Sequence, residues 1–448
     1  MSKSGDSSIS RLSNPNRLAN HALRQAFKAK LRNGSKWLCT VCNIYVYDSG
    51  KGDPAMGIKQ GLTPPEFPNT WRCPVCGATR DKQKEISEEE YNQKAPGYEN
   101  FKKVSGRKTW APGIPAGADN PDALPGLAQE YGMPLGLRGI GQGFSYLNNL
   151  RALEKFRLKT RLITKHQEPD FKAEFLGRKI SMPVLGASMS GLSLVSNITE
   201  EAFAYNILEG CRLAGTIGFT GNTSKDFGTP AEKSPPILAL KRVNGWGVNI
   251  FKPQAQDVLI ELIKQSEGAG AIAVGTDLDG AGSANSTLLG KFPYRKTTDE
   301  LRELKKSTRL PFIVKGITNK EDALLAIEAG ADVISVSNHG GRVLDSTPGI
   351  ADVLPEVVAA IRVSPNGKKI IITADGGIRT GYDVIKMLAL GADFVLVGRP
   401  LAREAVPSGA EGVKRILDYL KQDIRTAMIM TSCNTLDEIN ESIIFRNH

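Results

Sequence analysis

Short apolar runs recur along the chain after Leu135, and each is followed by a longer stretch with the periodicity of an amphipathic helix. The runs predict eight strands, at 183–187, 216–220, 247–251, 271–275, 312–315, 333–337, 370–373 and 394–397. The predicted helices include 320–329, 353–363, 382–390 and 411–430. Eight β/α repeats over roughly 250 residues predict a TIM (β/α)8 barrel rather than an open sheet. No Gly-x-Gly-x-x-Gly motif opens a helix, which argues against a domain for NAD.

The pattern before the barrel is different and divides the chain into four parts. Residues 1–34 form a basic segment, in which 20–31 has the apolar spacing of a short helix. Residues 35–85 contain four cysteines and many aromatic residues. Residues 86–130 begin with acidic residues and continue with repeated Pro and Gly, without convincing periodicity, as is typical of a linker or a strap over a neighbouring domain. The barrel would then occupy residues 131–448.

Composition narrows the class of protein. The chain has 448 residues, of which 40% are hydrophobic and 23% charged. This is expected for a soluble protein with one large domain and a smaller second unit. No apolar run reaches the roughly 18 residues that a membrane span needs, and the N-terminus has no apolar signal core. We therefore expect a cytoplasmic protein with no membrane partner.

Positive charge is concentrated at the N-terminus. The formal net charge is +11, and residues 1–32 contain seven Lys and Arg against one Asp. A disordered or partly helical tail is the favoured interpretation, with a docking surface for an acidic electron-transfer partner as the next. A nucleic-acid arm is least favoured, because Phe27 is the segment's one aromatic residue and offers little for base stacking. We predict no nucleic-acid partner.

Four of the six cysteines form two Cys-x-x-Cys pairs, Cys39 with Cys42 and Cys73 with Cys76. In a reducing compartment such pairs indicate a metal site rather than disulfides. Four thiolates suit one tetrahedral ion. The spacing alone leaves iron and zinc open, since zinc ribbons use the same pairs.

The sequence around these pairs resembles rubredoxin from about residue 36 to residue 84. The shared pieces include Tyr45-Val46-Tyr47-Asp48, Gly52-Asp53-Pro54, Phe67-Pro68 and Trp71-x-Cys73-Pro74-x-Cys76-Gly77. The resemblance implies one iron held by all four cysteines, cycling between ferric and ferrous, with zinc less favoured. Rubredoxins usually have Gly directly after the first pair. Asn43 stands there instead, and it can still adopt the left-handed conformation that turns backbone amides toward sulfur.

Polar loops follow the predicted barrel strands, where a TIM barrel builds its site. The most distinctive is Asn338-His339-Gly340-Gly341-Arg342, and His339 alone among four histidines follows a β-branched apolar run directly. The loops after the seventh and eighth strands combine glycine amides with arginine, in Asp375-Gly376-Gly377-Ile378-Arg379 and Gly398-Arg399. Two such neighbouring loops predict a site for a cofactor phosphate.

Together with Val314-Lys315-Gly316 and Leu344-Asp345, these loops resemble the FMN-dependent α-hydroxy acid dehydrogenase and oxidase family. The resemblance runs from about residue 146 to residue 444. It implies an FMN-dependent oxidoreductase with a small-molecule substrate and, as in the family, a homotetramer.

The family's roles carry over to matching positions. His339 would take a proton from the substrate, Asp277 would steady the protonated imidazole, and Arg342 would hold a substrate carboxylate. Lys315 would stabilise the negative charge of reduced flavin. The other matching positions would bind FMN: Asp375 at the ribityl chain, Gly377, Arg379, Gly398 and Arg399 at the phosphate with Gly376 beside them, and, more weakly, Ala187, Ser188, Asn249 and Thr276 at the ring.

Departures from the family weaken the case for a small 2-hydroxy acid. A substrate-binding Tyr is usual after the third strand, and Phe251 is aligned with it here. A second substrate-binding Arg, expected soon after Asp277, is replaced by 283–285, Ser-Ala-Asn. Tyr131 and Tyr146 are the candidates for an N-terminal Tyr of the family. Asp279 is an additional acid, interpreted equally well as a loop cap or as a group that admits a cationic or hydroxyl-rich substrate.

We therefore predict oxidation of a 2-hydroxy acid or related hydroxy compound, with electrons exchanged between FMN and a rubredoxin-type iron, and with an external electron carrier as a partner. The opposite flow, from iron to flavin, fits the sequence equally well. Two alternatives stay open. The loop 188–191 resembles that of type 2 isopentenyl-diphosphate isomerases, although that family lacks the His-Gly-Gly-Arg loop. The chain could also be an electron-transfer relay without a substrate of its own.

Overall fold

A computed structural model describes residues 34–53, 56–69, 71, 73–75, 78–105, 139–140, 143–194, 198–283, 286 and 290–446. The helix expected at 20–31 lies outside this range, as do Cys76 and Tyr131. Among the helices of the described residues, none combines the length and the apolar character needed to cross a bilayer.

The N-terminal unit is a three-stranded antiparallel sheet in the order β2-β1-β3, formed by β1 (Lys36–Cys39), β2 (Val46–Asp48) and β3 (Gln83–Ile86). Aromatic rings fill the space beside the sheet, and the ring centroids of Tyr45 and Phe67 lie 5.7 and 4.9 Å from that of Trp71. In a unit this small, large rings help to build the core because each of them buries a large surface.

A helix, α1 (Glu88–Ser105), occupies much of the segment predicted as a linker without periodicity. Three glutamates form its first turn, where the helix dipole favours negative charge, and Pro96 inside the helix interrupts the sequence pattern. The ring of Tyr98 packs edge-on against Tyr45, with centroids 5.1 Å apart. Because α1 also contacts the turn Leu192–Leu194 of the barrel, it connects the two domains by packing.

Short elements precede the barrel. They are α2 (Phe144–Glu154), β4 (Phe156–Leu158) and the hairpin β5 (Ala173–Phe175) and β6 (Arg178–Ile180). The ring of Phe175 lies 6.0 and 5.1 Å from those of Phe219 and Phe394, which lie in the first two residues of their barrel strands. The hairpin therefore plugs the end of the barrel opposite the predicted site.

All eight predicted barrel strands are present and form a closed parallel barrel. They are β7 (Val184–Met189), β8 (Gly218–Gly221), β9 (Val248–Phe251), β10 (Ala273–Asp277), β11 (Phe312–Ile317), β12 (Val333–Val336), β13 (Ile371–Ala374) and β14 (Phe394–Val397). A final strand, β15 (Ile444–Arg446), pairs with β4. The fold class predicted from the sequence is confirmed.

The helices between these strands form the outer layer. They are α3 (Glu200–Leu213), α4 (Pro235–Arg242), α5 (Gln256–Gly268), α6 (Thr298–Lys306), α7 (Lys320–Glu328), α8 (Ile350–Val363), α9 (Gly381–Ala389) and α10 (Arg399–Thr431). The last is longer than the predicted 411–430 because two helices meet across a kink at Gly409.

Side chains alternate between the barrel interior and the helix layer. Val248, Ile250 and Ile313 belong to the interior cluster, whereas Phe251 and Val314 pack with the helix layer. The alternation sends the polar residues at the strand ends, Lys252, Asp277, Lys315 and Asp375, inward at the carboxyl mouth of the barrel.

Candidate active site

The loop after β12 turns through three consecutive left-handed residues, His339, Gly340 and Gly341, with φ of +56°, +64° and +76°. A Cβ on Gly341 would lie 2.3 Å from the backbone nitrogen of Tyr146, and one on Gly340 would lie 2.5 Å from Nη1 of Arg399. Both positions therefore require glycine for space as well as for conformation. The tight turn holds the His339 imidazole over the mouth of the barrel.

Two carboxylates face the same nitrogen of His339. Its Nδ1 lies 3.2 Å from Oδ2 of Asp277 and 2.9 Å from Oδ1 of Asp279. Asp277 was predicted as this partner, and Asp279 was predicted only as an additional acid. With Nδ1 engaged, Nε2 is the nitrogen left to exchange a proton with a ligand.

The two carboxyls have opposite pKa shifts. Burial alone would raise the pKa of Asp277, but the charges of His339 and Lys315 outweigh burial and hold that pKa well below its usual range. Burial raises the pKa of Asp279, and the neighbouring charge of Asp277 raises it further. Oδ2 of Asp279 is buried without a hydrogen-bond partner among the described residues. The pair can thus hold one carboxylate and one carboxylic acid side by side.

Lys315 lies at the centre of the mouth. Its Nζ is 3.0 Å from Asp277 and 3.8 Å from Asp375, and only 3% of its side chain is exposed. Burial alone would lower the pKa of Lys315, but these carboxylates outweigh burial and raise it above its usual range. The interpretation of Lys315 as a buried strand-end lysine is confirmed by its position.

The loops after β13 and β14 form a cationic corner covered by α2. Arg379 donates from Nη2 to the hydroxyl of Tyr146 at 3.2 Å, and the Arg399 guanidinium lies 4.7 Å from the centroid of the same ring. Burial lowers the pKa of Arg399 to about 9. Asp345 fixes α2 at this corner by accepting from the backbone N–H groups of Gly143 and Ser145.

This corner and its surroundings fit FMN. Among the described residues, Ser188 Oγ and Asp375 Oδ1 are buried without a hydrogen-bond partner. Because buried polar atoms are normally hydrogen-bonded, a polar cofactor bound here would satisfy both. Gly376 and Gly377 have φ of +94° and +85°, which turns successive backbone groups through a tight loop. A Cβ on Gly398 would lie 3.7 Å from that of Ala187, so the first and last loops of the barrel are neighbours.

Asn249 and Thr276, two of the residues predicted more weakly to contact the flavin ring, are hydrogen-bonded within the barrel wall. The Asn249 amide donates to Ser266 of α5 at 3.0 Å and accepts from Thr220 at 2.6 Å. Thr276 donates its hydroxyl to the carbonyl of Phe251 at 3.1 Å. The described geometry therefore brings neither of them to the mouth.

Phe251 and Lys252, at the end of β9, face opposite sides of the barrel wall. Phe251 is fully buried against the helix layer, while the next residue, Lys252, continues the inward series of Val248 and Ile250. The Lys252 ammonium donates to the carbonyl of Asn222 at 2.7 Å. The alternation of strand side chains was the signal that could have identified Lys252.

The metal centre lies in the N-terminal unit. The Sγ atoms of Cys39, Cys42 and Cys73 lie within 4.8 Å of one another, and those of Cys42 and Cys73 are 3.9 Å apart. Metal–sulfur bonds of about 2.3 Å place tetrahedral sulfurs about 3.8 Å apart, so the three thiols fit one ion. Asn43 has φ of +55° and the Tyr45 amide points at Cys42 Sγ from 3.4 Å, which confirms the predicted turn.

The fold and these two centres define a flavin-dependent oxidoreductase barrel with an attached rubredoxin-type domain. The family model described as FMN-dependent dehydrogenase matches residues 136–286 and 251–446, and the rubredoxin model matches residues 36–83. The chain belongs to the FMN-dependent dehydrogenase family, and its cofactors are FMN and the iron of the rubredoxin domain.

Relatives agree with this assignment. A peroxisomal (S)-2-hydroxyacid oxidase of Arabidopsis thaliana is 30% identical over 67% of this chain and 86% of its own length. An L-lactate oxidase of Lactobacillus jensenii is 28% identical over 68% of this chain and 79% of its own. A mandelate oxidase structure with benzoyl-formic acid superposes with a TM-score of 0.59 at 27% identity, covering 69% of this chain and 91% of the other.

Proposed function

We propose that the barrel oxidises a 2-hydroxy acid to a 2-oxo acid and that the electrons are exchanged with the rubredoxin-type iron of the same chain. The observation that carries the proposal is the His339 imidazole, held at Nδ1 by Asp277 and Asp279 and followed three positions later by Arg342. In this arrangement a base and a carboxylate-binding cation stand on one short loop.

His339 is the proposed base. The substrate loses two electrons and two protons, and Nε2 of His339 takes one of those protons as the C2=O bond forms. The ionised carboxylate of Asp277 then lies 3.2 Å from a cationic imidazole and stabilises it. Burial raises the pKa of Asp279, which favours its neutral form. Asp279 can therefore share a hydrogen bond with Nδ1 and add no second negative charge.

Arg342 is the proposed anchor for the substrate carboxylate. Among the described residues its guanidinium makes no hydrogen bond or ion pair. Burial lowers its pKa to about 10, which still leaves it protonated at neutral pH. A partly buried guanidinium with no partner among the described residues favours an anionic ligand, and its planar fork matches a carboxylate.

FMN, when bound, would accept the two electrons and the second proton of the oxidation, and a four-thiolate iron exchanges electrons singly. Lys315 supports negative charge at the cofactor site because its ammonium stays protonated between Asp277 and Asp375. Ser188, Asp375 and the corner of Arg379 and Arg399 would hold the cofactor.

Contacts between the domains support electron exchange within one chain. Tyr45 binds Cys42 Sγ through its backbone amide and packs its ring against Tyr98 of α1. The same helix contacts the turn Leu192–Leu194, which follows directly on the loop of Ser188 at the flavin site. A continuous packed path therefore joins the iron site to the barrel mouth.

Anaerobic mixing of the FMN-loaded protein with a panel of 2-hydroxy acids of different size tests the oxidation. We expect at least one of them to bleach the flavin and yield the matching 2-oxo acid. Absence of flavin bleaching across the panel, with dithionite still reducing both centres, would contradict the proposed oxidation of 2-hydroxy acids.

A further inference from the structure

The strongest observation outside the residues already assigned is the charged side chain of Lys252 inside the barrel mouth. Strand β9 ends one residue earlier, and its inward series of Val248 and Ile250 continues to this lysine. The stem of Lys252 crosses the mouth beside the next loop, since a Cβ on Gly280 would lie 3.3 Å from Lys252 Cγ. A lysine is an unexpected continuation of an apolar interior layer.

The ammonium group is partly satisfied by the chain. It donates to the carbonyl of Asn222 at 2.7 Å and lies 3.4 Å from the hydroxyl of Ser190. An ammonium has three N–H donors, so these two contacts from described residues leave one donor for a ligand. Neither contact partner carries charge, so the positive charge of Lys252 is not neutralised by an ion pair within the described residues.

Electrostatics places Lys252 in the same field as the predicted substrate site. Burial lowers the pKa of the ammonium, the negative charge of Asp277 opposes this shift, and the positive charge of Arg342 adds to it. The positive charge of Arg342 is therefore close enough to disfavour the protonated form of Lys252 at the mouth. An anion bound between them would relieve the repulsion and compensate for the lost hydration.

We propose that Lys252 is a second substrate-binding cation, which contacts the substrate carboxylate together with Arg342 and makes the site selective for carboxylates. The inference rests on the proposed function, because it concerns the substrate of the same site. Lys252 thereby contributes a positive charge to the mouth where the sequence lacks a second arginine after Asp277. It also ties substrate binding to the loops after β7 and β8, which hold its ammonium.

Binding of 2-oxo acids to the oxidised, FMN-loaded protein tests the proposal without turnover. Pyruvate, 2-oxobutyrate and benzoylformate would be titrated against the wild type and Lys252→Met, with the flavin spectrum and calorimetry as readouts. We expect Lys252→Met to weaken binding about 10- to 100-fold, the size of one charge-assisted hydrogen bond. The neutral carboxamide of the tightest binder should bind the wild type and Lys252→Met equally.

Lys252→Gln separates charge from loop support, because its amide can still donate to the Asn222 carbonyl. We expect Lys252→Gln to bind the acids as weakly as Lys252→Met, with the same FMN affinity as the wild type. Lys225→Met, at an exposed lysine on the loop after β8, is the matched control and should bind like the wild type. Wild-type affinity in Lys252→Gln, or an equal loss for acid and carboxamide in Lys252→Met, would overturn the proposal.

The two hypotheses fail in different ways. If the acids bind through Lys252 but no 2-hydroxy acid reduces the flavin, the proposed oxidation is wrong and the anion site stands. If a 2-hydroxy acid is oxidised but the Lys252 variants bind its product like the wild type, the role of Lys252 is wrong. Failure of all three acids to bind the wild type overturns the proposal for Lys252.

Discussion

The iron site and the barrel mouth both bury ionisable groups, but their charges are compensated differently: by a metal ion at the first and by other side chains at the second. Around Cys39, Cys42 and Cys73 the neighbours are aromatic rings, and the thiols need a metal ion to hold their charge. At the mouth, Lys315 and Asp277 neutralise each other 3.0 Å apart, so the protein itself compensates for burial. We infer that ligand loss matters for the structure of the first centre and mainly for the chemistry of the second.

The two centres also differ in the length of chain that builds them. The four cysteines lie within 39–76 of the sequence, and the three that the structure describes belong to the small N-terminal unit. The mouth collects side chains from loops that span residues 188–399, and its key contact joins His339 to an aspartate 60 positions earlier. A short-range motif is visible in the sequence, whereas a contact across the barrel follows only from the fold.

The largest expected effect of a single substitution is on the mouth. His339→Asn removes the proposed base, and the rate of flavin reduction by substrate should fall about 10²- to 10⁴-fold. Rapid-mixing absorption measures that rate, and reduction of both centres by dithionite should be unchanged. His166→Asn, at an exposed histidine, is the matched control. A loss of less than tenfold would exclude His339 as the base.

Metal removal should affect the other centre alone. Cys73→Ser replaces a thiolate of the iron site, so we expect loss of the ferric absorption and lower stability of the N-terminal unit. Flavin reduction by substrate should stay within about twofold of the wild-type rate, since the charges of the mouth are paired inside the barrel. Cys211→Ser, in the barrel core, should keep the iron. Iron bound normally by Cys73→Ser would contradict the assignment.

The smallest expected effects come from the acid pair at His339 and depend on pH. The pKa of Asp277 is lowered on folding, so its stabilisation is present above the unfolded value of about 4 and is lost as pH falls. The pKa of Asp279 is raised on folding, so the folded state loses stability as pH rises through that pKa.

Two substitutions test these signs. As pH rises from about 3 to 5, Asp277→Asn should become progressively less stable than the wild type, with a constant difference above that range. As pH rises from about 4 to 8, Asp279→Asn should become progressively more stable relative to the wild type. Chemical denaturation of the FMN-loaded protein at a series of pH values measures the difference in the free energy of unfolding. Slopes of the same sign for both variants would contradict the opposite protonation of the pair.

The sequence was sufficient for the barrel because its strands are β-branched runs with a regular spacing, and all eight were found. It was sufficient for the His339 loop because three left-handed residues in a row demand glycines at 340 and 341. It missed α1, where Pro96 interrupts an otherwise acidic and polar helix. It did not single out Lys252, although side chains one position apart on a strand face opposite sides, so that Lys252 rather than Phe251 faces the mouth.

The direct test of the whole account is anaerobic stopped-flow absorption of the protein loaded with FMN and iron, mixed with the 2-hydroxy acid that it oxidises fastest. The flavin and ferric–thiolate bands are followed together at several protein concentrations. We predict that the flavin bleaches first and that the ferric bands follow at a rate independent of protein concentration, as transfer within one chain requires. Ferric bands that persist after complete flavin reduction would contradict electron exchange between the two domains.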